Sequence, residues 1–60
     1  MVTIKFETDN AAFRDGDQLL DVWAVADVVK EIAKQIMDGY LKGDVRDLNG
    51  NIVGSYTVED

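Results

Sequence analysis

Apolar and polar residues alternate at the start of the chain. Val2, Ile4 and Phe6 are set against Thr3, Lys5 and Glu7, and this period of two predicts a strand over residues 2–8 with one buried face. Asp9 and Asn10 then precede Ala11, Ala12 and Phe13, so an Asx side chain stands where it can cap a short helical turn. Asp15, Gly16 and Asp17 interrupt the pattern as a loop. Asp15 and Gln18 have the spacing of a capping box, Asp17 is the alternative N-cap, and a helix is expected to begin near residues 16–18. From residue 18 to residue 38 there is neither Gly nor Pro. Leu19, Val22, Ala26, Val29, Ala33, Ile36 and Tyr40 recur at three-to-four-residue spacing, and Trp23, Val25, Ile32 and Met37 widen that stripe into a long amphipathic helix. Gly39 suits the left-handed position that stops it. A helix of about 21 residues would reach roughly 31 Å, against about 23 Å for a seven-residue strand, so part of the stripe is expected to overhang the sheet.

Residues 42–58 hold two extended segments around Asp47-Leu48-Asn49-Gly50-Asn51, a specific hairpin signal. A two-residue turn at Asn49-Gly50 competes with a type I turn that starts at Asp47 and places Gly50 in the left-handed bulge position. The second is favoured because Asp suits the first turn position. It would pair Val45 with Val53 on one face and put Ile52, Tyr56 and Val58 on the other, where one helix cannot cover both. The sum is a single α+β domain over residues 1–60, β-α-β-β in order, with a three-stranded sheet under one long helix; the pattern leaves the strand order open.

Composition narrows the chemistry. The 60 residues include 12 acidic and 6 basic side chains, no His, no Cys and no Pro, for a formal charge of −6. Disulfides, Cys/His zinc sites, thiol or Ser-His nucleophiles and imidazole acid-base chemistry are excluded. A chain this short buries only about 60% of its unfolded surface, so oligomerisation is a natural source of added stability. The six cations, Lys5, Arg14, Lys30, Lys34, Lys42 and Arg46, are dispersed, which argues against nucleic-acid or anionic-membrane binding. With no leader-like or membrane-length apolar run, a soluble cytoplasmic protein is expected.

The remaining constellations are weak as chemistry. Asp47, Asn49 and Asn51 have the spacing that opens a calcium loop, but Ile52 and Val58 stand where an EF-hand needs Gly and Glu, and the turn accounts for all three. Asp21, Asp27, Glu31 and Asp38 alternate with Lys30 and Lys34 as on a solvated helix face, and the chain is too short to be expected to enclose a substrate cleft. The reading is therefore a non-catalytic protein without cofactor or metal. From Glu7 to Asp27, six acids face Arg14 alone. Part of this charge favours a helix N-terminus, and the rest offers Asp15, Asp17, Asp21 and Asp27 as an acidic docking surface for a basic groove of another protein. Trp23, Val25 and Ile32 on the helix, with Ile52 and Tyr56 on the hairpin, are the candidate interface for a homodimer or higher homo-oligomer.

Three segments carry a resemblance. Phe6-Glu7-Thr8-Asp9-Asn10-Ala11-Ala12-Phe13, the helix from Val29 to Ile36 ending in Asp38-Gly39, and Arg46-Asp47-Leu48-Asn49-Gly50-Asn51-Ile52-Val53-Gly54 resemble a group of very short proteins encoded by bacteriophages and prophages. The likeness spans nearly the whole chain and departs from it at the apolar run Leu20-Asp21-Val22-Trp23-Ala24. It implies an accessory protein in the cytoplasm of an infected bacterium that binds and disables a host protein, including components of immune defence. Two other functions compete with this one. An oligomer could sequester a nucleotide immune signal between subunits, with Arg46 and Lys42 on phosphate beside Tyr56; alternatively the chain could be a structural or assembly protein of the particle.

Overall fold

The computed structural model describes residues 1–16 and 19–60 of the chain. It is an α+β fold: strand β1 (Val2–Phe6), a 3-10 turn (Ala11–Phe13), helix α1 (Val22–Met37), and strands β2 (Lys42–Arg46) and β3 (Ile52–Val58). The sheet order is β1-β3-β2, with β3 antiparallel to both neighbours. The strand order, open from pattern alone, thus places the last strand in the middle. Among the described residues no helix is long and apolar enough to cross a membrane.

The local signals act where they were read. Asn10 caps the 3-10 turn by accepting from Ala12 N at 3.1 Å. At the other end of the helix Gly39 takes a φ of +95°, and its N–H reaches the Ile36 carbonyl at 3.0 Å.

The helix starts later than expected, at Val22 rather than near residues 16–18. Asp21 is its N-cap, its carboxylate accepting from Trp23 N at 3.0 Å and Ala24 N at 3.2 Å. Asp15 spends its carboxylate on Leu19 N, and Asp17 lies outside the described residues. Between the 3-10 turn and α1 the chain doubles back: Asp15 N donates to the Leu19 carbonyl, Asp21 N to the Phe13 carbonyl, and Arg14 bridges to Leu20. Leu19, Leu20 and Asp21, held by these bonds, are therefore outside the helix. At 16 residues, α1 is roughly 24 Å long, close to the seven-residue β3 at about 23 Å and longer than the five-residue β1 and β2 at about 17 Å.

The buried face of α1 is Ala24, Val28 and Ile32, which meet Phe13, Val45 and Tyr56, with Phe6, Ala12, Val25, Ile36 and Val53 partly buried around them. The stripe expected inside lies mostly outside: Val22, Ala26, Val29 and Ala33 are exposed. Both rows satisfy helical spacing, and the position of the sheet selects between them.

The turn after β2 has Asp47 in its first position and Gly50 at φ +84°, with Gly50 N on the Asp47 carbonyl at 3.0 Å. The pairing beyond it differs from expectation. A bulge between Val45 and Arg46 pairs Arg46 with Ile52 and Val45 with Gly54, so Val53 is the extra residue. The carbonyl of Val53 accepts from Glu7 N on the β1 side at 2.9 Å. As a result Tyr56, opposite Gly43 and Ile4, turns toward the helix on the same face as Val45.

Candidate functional site

The structure separates the candidate interface residues. Tyr56 (1% exposed) and Ile32 (2%) are core and present no free surface, and Val25 is partly buried against them. The Tyr56 hydroxyl donates to the Tyr40 carbonyl at 2.9 Å, and its ring lies over Gly43, where any Cβ would come within 3.1 Å of it. Trp23 is 81% exposed, on the row of the helix that also carries Asp27, Lys30 and Lys34, and Ile52 is exposed beside the hairpin turn. Trp23 and Ile52 remain available; they do not form one patch with the other three.

The acidic candidates divide as well. Asp15 and Asp27 are exposed, whereas Asp21 is committed to capping the helix. Arg46 donates from Nη1 to the Gly50 carbonyl at 3.0 Å. Lys42 and Arg46 stand at the two ends of β2, roughly 13 Å apart along an extended strand. With Tyr56 buried, Lys42, Arg46 and the aromatic ring do not converge within one chain.

Asp47 has a part that turn spacing alone did not reveal. Its Oδ1 accepts from Asn49 N and Asn51 N, both at 2.9 Å, and its Oδ2 accepts from Asn10 Nδ2 at 2.6 Å and Asn51 Nδ2 at 3.3 Å. The carboxylate therefore ties the hairpin turn to the cap of the 3-10 turn, 37 residues away in sequence. Burial pushes its pKa up, but the hydrogen bonds from Asn51, Asn10 and Asn49 outweigh burial and hold it below the ordinary carboxylate value. A lowered folded-state pKa contributes stability above the unfolded pKa of about 3.9 and loses it as pH falls through the folded value. Asp47→Asn should therefore melt below the wild type at pH 7, with the gap closing as pH drops below about 4. Thermal melts of both proteins between pH 7 and pH 2.5 check this. A gap independent of pH would assign the loss to turn geometry instead of charge. Among the described residues no three acidic side chains are grouped so as to hold a metal.

Where α1 meets β2, the seam opens into a groove of about 590 Å³. Val28, Ile32 and Val45 form its floor; Asp27, Glu31 and Lys30 line it from the helix, and Asp44 and Arg46 border it from β2, Asp44 through the strand edge, since it alternates with Val45 and its side chain is on the other face of the sheet. The chain thus builds a groove larger than its length suggested, as an open seam and not an enclosed cleft. β2 is an edge strand, so the groove runs beside unpaired backbone N–H and C=O groups. No protein family, curated protein or solved structure matches the chain. Glu31 was not legible as a site residue, since its place beside the groove depends on β2 being the edge that faces the helix.

Proposed function

We propose that this chain is a non-catalytic accessory protein that binds a protein of a bacterial host and inhibits or modulates it, in the manner of a phage-encoded defence inhibitor. The phage context rests on the resemblance of the three segments described above. The mode of binding rests on the groove. An extended segment laid along the edge of β2 would gain backbone hydrogen bonds and send alternate side chains over Val28, Ile32 and Val45. Lys or Arg at those positions would rest its aliphatic stem on the apolar floor and its charge beside Asp27 and Glu31. A net charge of −6 steers a basic partner toward the molecule.

Charge reversal tests the surface directly. The wild type and an Asp27→Lys/Glu31→Lys variant are immobilised and exposed to bacterial lysate, and affinities for retained proteins are then measured. A partner of the groove should bind the variant at least about tenfold more weakly. Equal capture by both would overturn the groove as the binding surface. Asp21 is unsuitable for this purpose, because replacing it removes the helix cap at about 1 kcal/mol and confounds folding with binding.

A further inference from the structure

A second exposed surface is on the opposite flank of α1. Asp27, Glu31 and Gln35 line the groove on one side of the buried row Ala24, Val28 and Ile32; Val22, Ala26, Val29, Ala33 and Met37 run along the other. The first four repeat at 4-3-4 spacing, the pattern by which one helix seats against another. The sheet also has an uncovered part. Val2 and Ile4 pair with Val58 and Tyr56, and so lie on the helix-covered face, yet both are exposed because α1 sits nearest β2.

The chain as a whole exposes more surface than a compact monomer. A folded monomer of 6.7 kDa should expose about 3,900 Å², whereas this chain exposes 4525 Å². Its radius of gyration is 11.9 Å, against about 10.4 Å for a compact domain of this length. The excess of about 600 Å² approaches the roughly 800 Å² that each partner contributes to a standard stable interface. Charge points the same way. Two chains of −6 can approach only where acids are absent, and this row is uncharged and bordered by Lys30 and Lys34.

We propose that the Val22-Ala26-Val29-Ala33 flank of α1 is the interface of a twofold homodimer, in which the flank packs antiparallel on the same flank of a second copy. A twofold contact is isologous, so the axis passes near Val29, each Ala26 faces the partner's Ala33, and the small residues let the helices approach closely. Both grooves stay open, and the dimer is bivalent for its partner.

Sedimentation equilibrium of the full chain at about 100 μM should give twice the chain mass, and Val29→Glu should raise the dissociation constant at least about 100-fold while leaving the far-ultraviolet spectrum unchanged. The chain has no Cys, so Val29→Cys alone should form a disulfide-linked dimer under mild oxidation, and Trp23→Cys should not. A wild type that sediments as one chain would overturn the proposal. So would a dimer that survives Val29→Glu, or one that Trp23→Ser or Ile52→Ser splits instead. If Val29→Glu does not fold, the outcome with Val29→Cys decides. These results are independent of partner capture, which reads the other side of the helix.

Discussion

Gly54→Ala should abolish the native sheet. Gly54 is in the central strand, paired with Phe6 on one side and Val45 on the other. A Cβ placed there would be 1.9 Å from the Lys5 carbonyl oxygen, 2.5 Å from Phe6 Cα and 2.7 Å from Phe6 Cβ. Two of those atoms are backbone, so no rotamer change relieves the clash, and β1 must separate from β3. The cost is about 3 kcal/mol or more, at the top of the overpacking range. A 60-residue domain has roughly 3–9 kcal/mol of stability to lose. Circular dichroism and thermal melting should show a largely unfolded chain at 25 °C. Gly16→Ala, with no atom within 4 Å of the added carbon, should stay within about 0.5 kcal/mol of the wild type. If Gly54→Ala melts within a few degrees of the parent, the strands can re-space, and the close approach is not a constraint on the fold.

Tyr56→Ala is the second large effect. Tyr56 is the largest of the fully buried side chains and joins all three strands: it is cross-strand neighbour to Ile4 and Gly43 and bonds to the backbone just after the helix. Truncation removes a buried ring from a thin core and leaves the Tyr40 carbonyl unpartnered, at about 3–5 kcal/mol. Tyr56→Phe should cost only about 1 kcal/mol, because it gives up the hydroxyl and keeps the ring. Denaturant melts of the two variants separate the contributions. A phenylalanine variant as unstable as the alanine one would show that the Tyr40 contact, not the ring, holds the hairpin to the helix.

Features that were legible in the sequence depend on neighbours in the chain. The alternation at Val2, Ile4 and Phe6, the cap at Asn10, the stop at Gly39 and the turn from Asp47 to Gly50 each involve a few consecutive residues. Features that depend on distant partners were not. The apolar arc of α1 is wide enough to hold two rows of helical spacing, and only the sheet determines that Ala24, Val28 and Ile32 go inside while Val22, Ala26 and Val29 stay out. Tyr56 read as a surface residue because a regular hairpin was assumed; one extra residue at Val53 reverses the faces beyond it. Asp21 and Asp15 offer the same capping chemistry, and the fold-back of Asp15 onto Leu19 assigns the helix to Asp21. For the candidate site, the charge of Asp27 was visible and the groove that it and Glu31 border was not, since that requires β2 to be the strand beside the helix.

The position of β3 between β1 and β2 governs how the chain can fold as it is made. β1 and β2 are not neighbours, so neither has a partner strand until residues 52–58 have been synthesised. Until then α1 has only one unpaired strand at a time to rest on, and a chain cut before β3 retains no sheet at all, not two-thirds of one. The pairing of Val2 with Val58 joins residues 56 positions apart, and such long-range closure is slow compared with local helix packing.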